Sequence, residues 1–259
     1  MKTLILTTAA LATLVTLGAA NAADMAAPPP VYKAPAPPPA YNWTGCYIGG
    51  GGGYGMWSQD SFLTAPGGTT VTGNTTNGGR GWFGMAQGGC DYQFGLPIFG
   101  MSQIVVGAFG DYNFDDITGT LNTGGIFGNE KESGAWAVGG RAGILITPKF
   151  LSYFDGGYTQ ARFDQVNFVS DVAPVGAATG TSIAATTYNG WFLGSGFEYS
   201  FDFLPLPGLF LKTEYRYSSF DWANVPLAGP GAAGFNIDSR KYTQTISTEL
   251  IWRFNWFGH

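Results

Sequence analysis

The chain has 259 residues, of which 11% are charged and 16% are aromatic, with 41 glycines and a net charge of −5. Soluble domains carry about 25% charged residues, so this composition does not describe an ordinary water-exposed surface. No internal apolar run approaches the roughly 18–20 residues of a membrane-spanning helix, and the negative charge argues against nucleic acid as a partner. Two classes remain, a fully buried soluble β protein and a transmembrane β-barrel.

The N-terminus predicts two segments that precede any fold. Residues 1–22 have the features of a secretory signal: Lys2, an apolar stretch from Leu4 to Leu17, and a small-x-small cleavage site at Ala20-Asn21-Ala22. A short buried helix is the alternative. Residues 23–42 are rich in proline, which favours an extended polyproline II segment that cannot pair into a sheet. We interpret this segment as a periplasmic spacer, with a peptide-recognition tail as the alternative.

From Trp43 onward the chain consists of segments in which apolar and polar residues alternate at the period of a β-strand. Each is long enough for the roughly 9–11 residues of a tilted membrane strand. The eight predicted strands are 43–57, 81–94, 103–114, 134–146, 150–163, 188–201, 209–222 and 241–254.

The seventh segment shows the alternation most clearly. Leu211 and Tyr215 fall on its apolar face, while Lys212, Glu214 and Arg216 fall on the other. A half-buried strand of a soluble sandwich alternates in the same way, with its charges turned to water. The recurrence of the pattern in eight segments favours the membrane, with apolar residues facing lipid and charges facing the lumen. The fifth segment is the least regular of the eight.

The connectors alternate in length. Those at 95–101, 147–149 and 202–208 are short and marked by proline, whereas those at 58–80, 115–133, 166–186 and 223–240 are long and rich in Gly, Thr, Asn and Asp. Short periplasmic turns that alternate with long outer loops are typical of outer-membrane barrels. The sequence therefore predicts an all-β fold, an eight-stranded antiparallel up-and-down transmembrane β-barrel over residues 43–259.

Tryptophans lie within or next to the predicted strands, several of them at strand ends. Amphipathic rings prefer the level of the lipid headgroups, so these residues are expected to form aromatic girdles. Tryptophans in the core of a soluble sandwich are the alternative. The residues are Trp43, Trp57, Trp82, Trp136, Trp191, Trp222 and Trp252.

Four stretches carry a family resemblance: WTGCYIGGGGGYG at 43–55, GWFLGSGFEYSF at 190–201, LKTEYRYSSF at 211–220 and ELIWRFNWF at 249–257. They resemble the small outer-membrane barrels of the alphaproteobacterial porin-family, surface-antigen type, related in fold to the membrane domain of outer-membrane protein A. The resemblance implies a location in the outer membrane, with outer-membrane lipid, lipopolysaccharide and the barrel-assembly machinery as partners.

The same resemblance implies an assembly signal, because an aromatic residue at the end of the last strand has that role in the family. Phe254 fits it, with Leu250 and Trp252 on the same face. The chain continues through residues 255–259, so Phe257 competes with Phe254 for the role.

The polar faces contribute five acids and four bases to the predicted lumen. Because an unpaired buried charge is costly, these groups are expected to pair as a salt-bridged plug. A narrow gated passage is the alternative, since one pair could exchange partners and open a thin water path. The residues are Asp111, Arg141, Asp155, Glu198, Lys212, Glu214, Arg216, Glu249 and Arg253.

Cys46 and Cys90 are the two cysteines of the chain, and the expected compartment is oxidising. If Trp57 lies opposite Gly81, the cysteines are diagonal neighbours, which is a wide separation for a disulfide. A register shifted by two residues would place them opposite each other. A disulfide and two free lipid-facing thiols both remain open.

Neither a catalytic centre nor a metal site is expected. The only histidine is His259, at the terminus, which argues against Ser-His-Asp catalysis and multi-histidine metal sites. Residues 111–115 resemble the start of a calcium loop but lack its later glycine and glutamate. The expected function is a non-enzymatic surface protein of the envelope with no cofactor; its loop ligands are unknown. The alternatives are a narrow solute channel, a lipid-modifying enzyme and a soluble lipocalin-like binder.

Overall fold

The computed structural model describes residues 42–96, 103–200 and 208–254. The predicted signal and proline-rich segments lie outside these residues. The described part of the chain contains no helix that is long and apolar enough to cross a membrane.

Eleven β-strands make up the described fold. Their bounds are Gly45–Thr64 (β1), Thr75–Phe94 (β2), Ile104–Asn122 (β3), Ile126–Thr147 (β4), Phe150–Phe163 (β5), Val166–Ser170 (β6), Ala178–Ile183 (β7), Thr186–Ser200 (β8), Leu209–Phe220 (β9), Ala223–Ala228 (β10) and Asn236–Phe254 (β11).

Eight of the strands form a closed ring, which we call the membrane ring, in the order β1-β2-β3-β4-β5-β8-β9-β11. All neighbours in the ring are antiparallel, and β11 closes it by pairing with β1 from Cys46↔Phe254 to Thr64↔Asn236. The predicted eight-stranded antiparallel barrel is confirmed, because each predicted segment contributes one strand of this ring.

The two faces of the strands follow the predicted parities. In β9, Lys212, Glu214 and Arg216 are buried in the lumen, whereas Tyr215 is 46% exposed on the outside. We call the exposed hydrophobic residues on the outside of the ring the apolar band. Its largest members are Ile48, Met56, Trp82, Tyr92, Tyr112, Phe114, Val138, Ile146, Phe154, Tyr158, Trp191, Leu193, Phe197, Tyr199, Ile246, Leu250 and Trp252.

The four predicted long loops are largely β-structure, which corrects the sequence-based prediction. The hairpins β1–β2 and β3–β4 continue through most of the residues expected to be loops, and β6, β7 and β10 continue the wall above β5, β8 and β9. Through the pairings β4–β6, β6–β7, β7–β10 and β10–β11, a second eight-membered ring stands on the first. We call this second ring the upper barrel.

The upper barrel escaped prediction because its alternation is inverted. Beyond Phe114 on β3, the exposed outward residues are Asp116, Thr118 and Thr120, while Ile117 and Leu121 are fully buried inside. Polar residues face out and apolar residues face in, as in a water-soluble sheet. The inversion marks the level at which the outer surface stops facing lipid.

Two of the predicted girdle tryptophans point inward. Trp43 and Trp57 are almost fully buried in the lumen, where their indole nitrogens donate to Pro148 O at 3.1 Å and Ile117 O at 3.3 Å. Both residues have the parity of Tyr47, whose side chain is also buried inside. For these two residues the girdle prediction is wrong, because strand parity decides the direction of a side chain before residue type does.

Cys46 and Cys90 form a disulfide between β1 and β2. They lie directly opposite each other because Trp57 faces Gly79 and not Gly81. The assumed register is therefore wrong by two residues. The hairpin continues to Thr64 and Thr75, so the position of its turn could not be judged from the end of the apolar pattern.

Replacing both cysteines by serine is expected to lower the free energy of unfolding by about 2–4 kcal/mol, since the bond closes a long loop in the unfolded chain. The cysteines are 44 residues apart in sequence. Urea unfolding in detergent measures the difference, and the native protein under a reducing agent is the matched control. Equal midpoints for the oxidised protein and the variant would contradict this prediction.

Candidate functional site in the barrel lumen

The end of the lumen where β1 begins and β11 ends holds a ring of four charges. Arg141 donates to Asp91 Oδ1 at 2.9 Å and to Glu198 Oε2 at 3.2 Å. Arg253 closes the ring through Glu198 Oε1 at 2.8 Å and Asp91 Oδ2 at 2.7 Å. Two acids and two bases therefore neutralise one another with their side chains almost completely removed from solvent.

Asp91 is the member of this ring that the sequence-based set of nine omitted. It lies on the polar parity of β2, between Gln87 and Gln93. Parity alone was therefore sufficient to place it in the lumen, and its two arginine partners were already in the predicted set.

The second charged layer is centred on Lys212. Its ammonium group contacts Glu214 Oε2 at 2.8 Å, Glu249 Oε1 at 3.2 Å and Gln87 Oε1 at 2.9 Å. The Gln87 amide in turn donates to Glu249. Every donor of this lysine faces an oxygen acceptor, as a buried cation requires.

Arg216 extends the second layer towards the middle of the barrel. It donates to both carboxylate oxygens of Asp111, at 2.8 and 3.1 Å, and pairs with Glu214 at 2.8 Å. Asp155 is different: it is buried beside the like-charged Glu214 as well as beside Arg216, and it forms none of the ion pairs of this layer. The structure thus brings all nine predicted residues into the lumen and leaves one of them outside the ion pairs.

Aromatic rings separate the charged layers and contact their cations. The guanidinium carbon of Arg253 lies 4.7 Å from the ring centre of Trp43, that of Arg141 lies 4.6 Å from Tyr47, and that of Arg216 lies 4.4 Å from Phe192. Cation–π contacts of this kind gain strength away from water. The inward-facing aromatic side chains therefore stabilise the buried cations of the lumen.

Lys241 forms a third layer, on the side of the second layer that leads to the upper barrel. It is fully buried, its Nζ lies 2.7 Å from Glu130 Oε1, and it donates to Gln59. Phe163 contacts the ammonium at 4.0 Å from its ring centre, with Trp57 and Tyr188 on other sides. The sequence could have placed Lys241 in the lumen, because it lies on the same face of β11 as Glu249, which was predicted to point inward.

A small cavity of about 20 Å³ lies between the second and third layers. Four of the side chains that line it have a buried oxygen without a hydrogen-bond partner: Asn113 Oδ1, Asp115 Oδ2, Glu132 Oε2 and Thr243 Oγ1. Burial, followed by the Asp115 carboxylate, raises the pKa of Glu132 well above its usual value. Glu132 neighbours the exposed Lys131–Asp116 ion pair and so lies beyond the apolar band. Sequence reasoning set aside residues 111–115, which include Asn113 and Asp115, as an incomplete calcium loop, and it named neither Glu132 nor Thr243.

An apolar core closes the upper barrel. Phe168 and Ile183 come from the strands added above β5 and β8, and Leu121 and Ile237 come from the extended hairpins. All are buried, together with Val166 and Val225. Side chains therefore fill the lumen at the level of each charged layer and of the apolar core.

The proposed assembly residues lie at the periplasmic end of β11. Leu250 and Trp252 are exposed on the apolar band, and the ring of Trp252 lies 5.8 Å from that of Phe254. Phe257 lies outside the described residues. Their role in assembly remains a prediction.

No protein-family model matches the sequence. The chain is 28% identical over 213 residues to the 31 kDa outer-membrane immunogenic protein of Brucella melitensis, a match that covers 80% of this chain and 83% of the relative. Among solved structures it is similar to the outer membrane protein OprG from Pseudomonas aeruginosa (14% identity, TM-score 0.45, 82% of this chain and 97% of that chain). It is also similar to the outer membrane protease OmpT from Escherichia coli (11% identity, TM-score 0.40, 80% and 97%). The chain is an outer-membrane β-barrel protein that resembles a surface antigen, as its sequence predicts.

Proposed function

We propose that this outer-membrane barrel is a closed, non-enzymatic protein that contributes to envelope integrity and presents its outer tips at the cell surface. The observation that carries the proposal is the filled lumen. Two ionic layers, the buried Lys241 layer and the apolar core of the upper barrel succeed one another along the same axis. A water path would have to cross all of them.

The pairing of the lumen charges supports a structural role. Arg141, Arg253, Lys212, Arg216 and Lys241 all have carboxylate partners within 3.2 Å. Groups that are engaged in this way hold strands together and are not available to a substrate.

The upper barrel supports surface presentation. It holds the connecting tips at residues 65–74, 123–125, 171–177 and 229–235 away from the apolar band on a continuous β wall. Gly67, Gly68, Gly124 and Gly176 adopt positive φ in these tips, and nothing lies within 4 Å of an added side-chain carbon. The relative is described as immunogenic, and we infer that exposed tips of this kind are accessible to antibodies, phage or neighbouring cells.

The apolar band contacts outer-membrane lipid and lipopolysaccharide. We infer that the barrel-assembly machinery recognises the end of β11, where Leu250, Trp252 and Phe254 come together. The exposed side chains of Leu250 and Trp252, with the ring of Phe254 beside that of Trp252, support this partner.

Conductance in planar bilayers separates a closed barrel from the alternative narrow channel. We expect the purified native protein to insert without discrete openings, because the lumen layers block ion passage, whereas a general porin in the same bilayer opens. Insertion is checked by the shift in gel mobility between unheated and boiled protein. Reproducible single-channel steps from the native barrel would replace the structural role with a channel function.

A further inference from the structure

The cavity between the second and third lumen layers is lined by four buried side-chain oxygens, three of which can only accept hydrogen bonds. Asn113, Asp115, Glu132 and Thr243 are each at least nine-tenths buried, and each has an oxygen without a partner. A buried acceptor without a donor is costly, and the four side chains face one space. The Thr243 hydroxyl can donate one hydrogen bond, towards Glu132, so the carboxylate of Asp115 and the amide oxygen of Asn113 still lack a donor. A species inside the cavity would supply what they lack.

The charges around the cavity do not balance. Arg216 and Asp111 line its floor and are joined by two hydrogen bonds, and Arg216 is shared with Glu214, so it has no charge to spare for the cavity. Asp115 and Glu132 then remain as two carboxylates. Lys241 acts on Glu132 from above, but its ammonium is already paired with Glu130 at 2.7 Å. The missing species therefore carries positive charge, and one divalent cation would balance the site.

The size and the donors select among cations. A cavity of about 20 Å³ holds one or two particles of the size of a water molecule. Ca²⁺ accepts irregular sets of carboxylate, amide and hydroxyl oxygens, whereas Mg²⁺ keeps several waters and needs more space. The donors here are all oxygens, and none is a thiolate or an imidazole, so the site does not favour zinc or copper.

We propose that the lumen cavity binds one Ca²⁺ ion that links β3, β4 and β11 from inside the barrel. Its ligands are Asn113, Asp115, Glu132 and Thr243. The described residues contain no group of three or more His, Cys, Asp or Glu arranged for a metal, and the amide and hydroxyl oxygens complete this site in their place. The site goes beyond the proposed surface role, because it ties the wall of the membrane ring to that of the upper barrel.

Metal content and thermal unfolding of the full chain test the proposal. The protein is refolded from urea into detergent with CaCl₂, with MgCl₂ or with a chelator, and free ions are removed by gel filtration. We expect about one tightly bound calcium ion per barrel and no bound magnesium. Calcium at about a hundredfold above its Kd should raise Tm by about 5–10 °C relative to the chelator.

Two variants and one control make the result specific. Glu132→Gln, alone and combined with Asp115→Asn, should lose the calcium and its Tm shift while unfolding in chelator at or above the native temperature, since each removes an uncompensated charge. The control Asp116→Asn changes the exposed neighbour of Asp115 on the same strand and should bind calcium as the native chain does.

A proton is the competing solution to the charge imbalance. A native barrel with no bound calcium, no Tm response, and the infrared carbonyl band of a protonated carboxylic acid that disappears in Glu132→Gln would overturn the proposal. Loss of the calcium effect together with channel openings would instead count against the closed-barrel function, so the two failures are distinguishable.

Discussion

Arg141→Met is expected to destabilise the folded barrel by about 3–5 kcal/mol, because removing one partner of a buried ion pair leaves its counter-charges unsatisfied. Asp91 and Glu198 would both lose a partner, and the 2%-exposed Arg141 side chain offers water no access to replace it. Methionine keeps much of the side-chain volume beside Tyr47, so the loss of unfolding free energy would come from the missing charge and not from a new cavity. The urea midpoint of the folded, heat-modifiable band on a gel measures the effect.

The control is the same substitution on the outside of the barrel. Arg80 is exposed on β2, and Arg80→Met should change the midpoint by no more than about 0.5 kcal/mol. Adding Asp91→Asn and Glu198→Gln to Arg141→Met should restore part of the loss, since the orphaned charges are then neutral. An Arg141→Met barrel that unfolds at the native midpoint would show that the ionic ring contributes no stability.

Much of the membrane ring could be predicted because lipid imposes a simple rule on each strand. The face of each strand that contacts lipid must be apolar. Because Tyr215 lies on that face, Glu214 and Arg216 must point into the lumen, and this follows without knowing which residues they pair with. The same rule, applied to Asp91 and Lys241, places both in the lumen. Parity does not predict which charged residues pair with each other. In the ring of Asp91, Arg141, Glu198 and Arg253 each base contacts both acids, and this arrangement depends on the stagger of the strands.

The rest of the fold was hidden for two physical reasons. Above the apolar band the surrounding medium changes to water, so Asp116 lies outside and Ile117 inside, and a search for apolar outer faces ends at Phe114. The register of a long hairpin follows from the position of its turn. The turn between Thr64 and Thr75 lies within a polar stretch that carries no signal for its centre, and Cys46 and Cys90 were therefore placed two residues out of register.

The cavity site depends on both of these features. Asp115 and Glu132 lie where the membrane ring meets the upper barrel, and Glu132 adjoins an irregularity in the pairing of β4 with β5. A sequence pattern cannot show that Asn113 and Thr243, which are far apart in the chain, line the same space. Their convergence follows from ring closure between β11 and β1.

The second large loss of stability is expected from a substitution at Gly51, which lies where β1 and β11 close the ring. This residue faces Glu249 and Thr248 at the seam where β1 meets β11. A side-chain carbon at Gly51 would overlap the Thr248 carbonyl oxygen and lie 2.6 Å from Glu249 Cα. Backbone atoms cannot rotate away as a side chain can, so the strands would have to separate. We expect Gly51→Val to cost at least about 3 kcal/mol, the upper part of the range for overpacking.

The adjacent Gly50 provides the matched control for this seam. An added carbon there meets only Met85 O, at 3.4 Å, and its side would face the apolar band. Valine is a good strand residue on such a surface, so Gly50→Val should fold to the native extent, while Gly51→Val should remain at the mobility of the unfolded chain in an unheated sample. If both variants fold equally well, the close contact of β1 with β11 does not limit closure. If both fail, the loss lies in the flexibility of the glycine-rich strand and not in the seam.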